Sequence, residues 1–335
     1  SRTDPRPVSA DLLNTALTRD AGIDVPLIGG AMYPCGNPEL VAAVSAAGGI
    51  GIVQPVSLTY VHGYEFRDGL RYIRDLTSRP IGFNALIEKS SRRYRDRMAM
   101  WVDTALEEGI RFFVTSLGNP AWVVERAAQV GGVVYHDVTE RKWARKAVDG
   151  GVHGLIAVND RAGGHAGPHS AESLLDQVGD LGLPVVCAGG VGGERDFVAA
   201  LHLGYAGVQM GTRFIATVEC SASEAYKQAI ISAGEDDVVL SDRVTGVPLA
   251  VLRTPYVEAM GTRLGPVARR LLMGRRTKHW VRSFYALKSG VRLARANRDE
   301  TGRQQFWQAG KSVAEVDSIE EAGKIVRRFA TAASR

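Results

Sequence analysis

Cysteine is scarce. Cys35, Cys187 and Cys220 are the only three in 335 residues, and their odd number and wide spacing exclude a disulfide framework. They have no metal-ligand spacing, and the seven histidines form no H-E-x-x-H pair, so a protein-held metal is not expected. No apolar run is long enough for a membrane-spanning helix. The opening residues, SRTDPRPVSADLLNT, lack the apolar stretch of a secretory signal, so the reading is a chain of the reducing cytoplasm. None of the glycine clusters spells GxGxxG or a P-loop, which removes the two commonest nucleotide fingerprints. With 45% hydrophobic and 23% charged residues, the composition is that of a folded globular chain and not of a disordered one.

What is present is a repeat of short apolar runs, each followed by a polar or glycine loop and a helical stretch. The runs are PLIGG (26–30), IGIVQ (50–54), PIGFN (80–84), RFFVTS (111–116), GVVYH (132–136), GLIAVN (154–159), PVVCAGG (184–190) and GVQMG (207–211). They are apolar and β-branched without clean alternation, as parallel strands covered on both faces are. Between them, NPELVAAVSAAGG offers Asn37 and Pro38 as cap and first helical residue, with Gly48 as the stop. SAESLLDQVGDLG repeats the device from Ser170. Eight such units predict an α/β fold of the TIM (β/α)8 type, with a doubly wound open sheet as the alternative that pattern alone leaves open.

The pattern breaks near Glu235. The expected organisation is a barrel over 1–234, a small, mainly helical insertion or lid domain over 235–303, and a segment over 304–335 that returns to the barrel. In that last segment Ile319, Ala322, Ile325, Val326 and Phe329 share one helical face, with Ser318 as the expected cap.

Positive charge is concentrated in the insertion. Residues 261–298 hold eleven Lys or Arg and no acid, whereas the rest of the chain has 30 bases against 36 acids, a balance of −6. Such a segment reads as a solvated helical face, or as a rim that attracts an anionic substrate. Arg275 and Arg276 are the entrance candidates, with Arg161 near the barrel mouth. Trp280, Phe284 and Tyr285 interleave with the arginines, but no nucleic-acid recognition motif accompanies them, and neither a nucleic-acid nor a membrane partner is expected.

In barrels, chemistry sits where the strands end. Four glycine segments lie there: 29–32, 162–167, 189–193 and 210–214. Glycines after strands seven and eight suit a phosphate, because the bare backbone can turn tightly and point N–H groups at one anion; short turns are the plainer explanation. His165 stands between glycines, with little packing of its own, which favours a proton-handling role over a structural one. Gln54, Asn84 and His136 end apolar runs and are candidates to line a bound heterocycle.

Taken in order, PLIGGAM, AAVSAAGGIGIV, PIGFN, AGGHAG, PVVCAGGVGG, VQMGTRF and FWQAGKSV resemble the flavin-dependent nitronate monooxygenase family, formerly 2-nitropropane dioxygenases, and the related FMN-dependent enoyl-ACP reductases. The resemblance implies a TIM barrel with a small helical domain over its mouth and FMN bound without covalent attachment. The ring would lie near Gly30, Ala31, Met32 and Asn84, and the phosphate near Gly189, Gly190, Gly211 and Thr212. His136, Gly164 and Met210 complete the cofactor-binding candidates, and His165 matches the family's catalytic histidine.

The chain also departs from the pattern. Arg161 stands where many relatives have an acid, and Asp137 where some have lysine. The resemblance implies an FMN-dependent oxidoreductase. Oxidation of alkyl nitronates with O2 ranks narrowly first. NAD(P)H-dependent turnover of a CoA- or carrier-linked enoyl thioester, or of a quinone, is the alternative. The implied partner is a small, anionic or CoA-linked substrate, and a homodimer is compatible with all of these readings.

Overall fold

The computed structural model describes residues 11–88, 91–243, 247–263 and 305–335. Eight parallel strands close on themselves in chain order: β1 (Leu27–Gly29), β2 (Ile50–Val53), β3 (Gly82–Ile87), β4 (Phe112–Leu117), β5 (Val133–Val138), β6 (Gly154–Val158), β7 (Val185–Ala188) and β8 (Gly207–Met210). The seam is the pairing of Leu27 and Ile28 with Val208 and Gln209. Closure leaves the barrel sheet without an edge and rejects the open-sheet alternative.

The helices between strands are α1 (Ala16–Ala21) before β1, then α2 (Pro38–Ala46), α3 (Phe66–Leu76), α4 (Arg92–Glu107), α5 (Ala121–Ala128), α6 (Arg141–Asp149), α7 (Ala171–Val178) and α8 (Glu194–Leu203). After β8 come α9 (Thr212–Ile215) and α10 (Glu224–Ser232). Among the described residues no helix is long and apolar enough to cross a membrane.

Strand alternation sorts the core into two layers. Ile28, Ile50, Ile52, Phe112, Val114, Tyr135, Ile156 and Val186 fill the barrel, while Phe83, Phe113, Val134, Val138, Leu155 and Cys187 face the helices. Helix α1 plugs the floor. Leu17 is fully buried against the barrel, and the Tyr135 hydroxyl donates to Asp20 at 2.7 Å. A Cβ at Gly207 would come within 2.5 Å of Leu17 Cδ2, so only glycine leaves room for the plug. With the floor sealed, access is from the strands' C-terminal ends.

Of two capping expectations, one changes and one holds. Asn37 holds the N-cap position of α2, but its side chain caps nothing; its amide donates to the Glu219 carbonyl at 2.8 Å and its oxygen accepts from Ser221 N–H at 3.0 Å. Ser170 caps α7 as expected, accepting from Ser173 N–H.

Past Glu235, the described residues form an antiparallel hairpin, β9 (Val238–Ser241) with β10 (Leu249–Leu252), and the short α11 (Pro255–Met260). The basic stretch beyond Arg263, with Arg275 and Arg276, lies outside the described residues. The final helix, α12 (Ala322–Ala333), packs Phe329 on Phe197 of α8 with ring centroids 5.4 Å apart. It begins after Glu321, so Ser318 lies outside it and donates instead to Asp317. Arg213, fully buried just after β8, reaches Glu320 at 2.5 Å and ties α12 to the barrel.

Candidate active site

The loop after β6 is the centre of the mouth. Asn159, fully buried at its start, staples it to the loop after β7. Its amide donates to the Gly189 carbonyl at 2.9 Å, and its oxygen accepts from Arg161 N–H at 2.9 Å. The hairpin holds the other side, with Ala250 N–H donating to the Gly164 carbonyl at 2.7 Å. The returning chain closes the arrangement. Lys311 N–H donates to the Arg161 carbonyl at 2.9 Å, and Gly310 N–H to Thr212 Oγ1 at 2.9 Å. Cβ atoms at Gly163 or Gly310 would collide with the opposite backbone at 2.9 and 2.6 Å, so both glycines are required by close approach.

His165 rides on this loop. Its side chain is exposed and has no hydrogen-bond partner among the described residues. Surrounding protein atoms nevertheless disfavour its charged form, which holds the imidazole below its ordinary pKa of 6.5. Its neutral form is therefore favoured at pH 7.

Gly189 and Gly190 adopt φ of +115° and +77°. A Cβ on Gly189 would lie 2.2 Å from Asn159 Oδ1, and one on Gly190 would lie 2.8 Å from Arg161 Nε. The loop is thus a bare backbone cradle pressed against the β6 loop. Arg161, expected as a free cation at the entrance, is paired with Glu235 through both guanidinium nitrogens, Nη1 at 3.1 Å. Its stem lies over Gly190, so it remains beside the cradle although its charge is matched.

The loops after β1 and β8 meet across the seam. Gly30 N–H donates to the Met210 carbonyl at 2.9 Å, and Met32 Sδ lies 3.3 Å from a Cβ position on Gly211. Gly30, Ala31 and Met32 are half-buried at the mouth. Thr212 is buried; its oxygen already accepts from Gly310, which leaves its proton free to donate.

Three expectations need correction. Met210 is on the helix-facing layer, so only its backbone reaches the mouth. Gln54 is buried, and its carbonyl oxygen turns back to accept from Ser57 N–H at 2.8 Å, so that oxygen is already used. His136 does not end its strand. It is the fourth residue of β5 and shares the outward parity of Val134 and Val138. There it is buried against Thr115, Oγ1 to Nδ1 at 2.8 Å, and burial pushes its pKa down to about 4. It is a wall residue, removed from the cofactor-facing set. Asn84 is the third residue of β3 and not its end, but its parity is inward, and its amide has no partner among the described residues.

Two inward residues are not among the site candidates read from the sequence, although Asp137 is a departure from the family pattern. Asp137 follows His136 with the opposite parity, and Gln209 lies on β8 beside Gly30. Asp137 Oδ1 and Gln209 Oε1 are both shielded from solvent with no hydrogen-bond partner. The signal was available in each case as a polar residue inside an apolar strand.

A family profile described as nitronate monooxygenase matches residues 14–331. The chain belongs to the nitronate monooxygenase family. It is also similar to (3aS,4S,5R,7aS)-5-hydroxy-7a-methyl-1-oxo-octahydro-1H-indene-4-carboxyl-CoA dehydrogenase of Mycobacterium tuberculosis, 34% identical over 74% of this chain and 68% of that one. A probable nitronate monooxygenase of Staphylococcus saprophyticus is 27% identical over 74% of this chain and 81% of that one. Among solved structures, FabK from Thermotoga maritima aligns over 95% of both chains with 27% identity and a TM-score of 0.77. Members of this family are FMN-dependent oxidoreductases. The mouth fits that cofactor. The left-handed glycines 189 and 190 leave the loop after β7 as bare backbone, the Thr212 hydroxyl proton is available, Asp137 and Gln209 present unmet polar atoms inside the wall, and Asn84 shares their inward parity.

Proposed function

We propose that this family member is an FMN-dependent dehydrogenase of a CoA thioester, with NAD(P)+ as the final acceptor. The observation that carries the reading is the 34% identity to a CoA-ester dehydrogenase over three quarters of the chain, against 27% for the nitronate monooxygenase relative. This reverses the narrow order drawn from the sequence. The eleven bases of 261–298, in a chain otherwise at −6, supply the charge that a CoA moiety would meet.

The residues divide the work. Gly189, Gly190, Gly211 and Thr212 would hold the phosphate of FMN, and Gly30, Ala31, Met32 and Asn84 would flank its ring. When bound, FMN supplies the two-electron acceptor. His165 takes the proton from the carbon next to the thioester carbonyl as a hydride leaves the neighbouring carbon, and a C=C bond forms. One proton passes to solvent and one hydride to NAD(P)+, so the balance closes. The same sites run the reverse reduction with NAD(P)H. A neutral, unpaired imidazole suits this step, since a base already protonated or locked to an acid could not take the proton.

The test is anaerobic mixing of FMN-loaded protein with an alicyclic carboxyl-CoA, NADH, NADPH and propyl-2-nitronate in turn. Loss of flavin absorbance is expected with the CoA ester and with one nicotinamide. Loss only with the nitronate would overturn the proposal in favour of nitronate oxidation, the reading the family profile favours. A second expectation concerns charge. Reversal at both Arg275 and Arg276 should raise KM for the CoA ester at least about tenfold at low salt. It should spare kcat and leave turnover of a small neutral quinone unchanged. An equal loss with the quinone would count against a CoA rim.

A further inference from the structure

Asp137 has no role in the scheme above, yet it is the one carboxyl set into the inner wall at the strands' C-terminal ends among the described residues. It pairs in register with Ile156 of β6 and lies one step beyond the Thr115–His136 pair of the β4–β5 ladder, which puts Ser116 beside it. Its strand parity is that of Tyr135, which fills the barrel. Oδ1 is completely shielded and has no partner.

Its inward neighbours on the flanking strands are uncharged: Ser116 from β4, and Ile156 and Val158 from β6. Helices α5 and α6 pack on the other side of the strand, beyond His136. The loop after β6 carries His165, which is neutral at pH 7, together with Asp160 and with Arg161, which is paired to Glu235. An ionised carboxylate in this setting would be a buried, unpaired anion, which costs far more than a neutral acid. Burial alone pushes the Asp137 pKa up to about 7.

We propose that Asp137 is a ring-contacting residue whose carboxylic acid donates a hydrogen bond to an acceptor on the heterocyclic edge of bound flavin. The inference rests on FMN binding in this mouth. Its consequence is proton linkage. FMN binds the protonated form, so affinity is full below pH 7 and falls as the carboxyl ionises, approaching tenfold per pH unit above it. Asp137→Asn keeps the shape and a donor that does not titrate, so its affinity should lack that fall.

The experiment is titration of apoprotein with FMN by fluorescence quenching, from pH 6.5 to 9, for the wild type and Asp137→Asn. Ionisation of the FMN phosphate is common to both and cancels in the ratio. The expected ratio of wild-type to variant Kd rises with pH, by about tenfold between pH 7.5 and 8.5. A ratio that stays flat overturns the role of Asp137 while leaving FMN binding intact. No FMN binding at any pH overturns both readings. If the variant does not fold, the infrared difference spectrum of the wild type at pH 8 on adding FMN decides. Gain of a protonated carboxyl C=O band supports the proposal, and its absence overturns it.

Discussion

Replacing Gly189 with alanine is expected to weaken FMN binding by at least about 100-fold while the barrel remains folded. The physical reason is local and double. At φ +115° a Cβ strains the backbone, at a cost of about 1–3 kcal/mol. That Cβ would also lie 2.2 Å from Asn159 Oδ1 and 2.6 Å from Ala162 N, neither of which is the end of a flexible chain. Relief requires the β7 loop to leave the β6 loop, breaking the Asn159–Gly189 bond that shapes the cradle. A factor of 100 corresponds to about 2.7 kcal/mol, within the sum of those costs. The strands themselves do not depend on the cradle, so far-ultraviolet circular dichroism should be unchanged. Gly190→Asp is the companion, adding a negative charge where the phosphate is expected. Apoprotein titration with FMN checks both. Wild-type affinity in the two variants would place the phosphate elsewhere.

The sequence reveals the eight strands more fully than it reveals what they point at. PLIGG, IGIVQ and their successors are recognisable as buried parallel strands because they are apolar on both faces. That same property hides which parity lies inside the barrel. His136 and Asp137 show the consequence. One residue of parity separates a wall histidine bonded to Thr115 from a shielded carboxyl on the inner face, and nothing in VVYHDV says which is which. The closed register and the burial of Tyr135 decide it. The glycine turns after β6, β7 and β8 were legible because a turn after a strand is local. The contact of Gly310 with Thr212 spans 98 residues and has no local signal. Nor does the pairing of Arg161 with Glu235, 74 residues on, which turns an expected free cation into a matched one.

His165→Ala should retain FMN yet lose about 10²–10⁴-fold in the rate of the substrate half-reaction, the range expected for removal of a general base. The imidazole has no partner among the described residues, so its removal leaves no buried group unsatisfied. Cofactor affinity and thermal stability should therefore stay near wild type. Rapid anaerobic mixing of the loaded variant with the CoA ester measures the step directly, and an unchanged rate would remove the base from His165. The pH dependence gives a second reading. The base must be uncharged to accept a proton, so the rate is full above its pKa and falls as pH drops through it. Loss of solvation to the surrounding protein atoms holds that pKa below 6.5, which puts the acid limb of the wild-type profile below that value. In His165→Ala that limb should vanish. A substrate whose proton is already gone separates chemistry from placement. If the variant still oxidises propyl-2-nitronate at the wild-type rate but fails with neutral 2-nitropropane, as with the CoA ester, the histidine acts on the proton. Equal loss with the nitronate would mean that it positions the substrate.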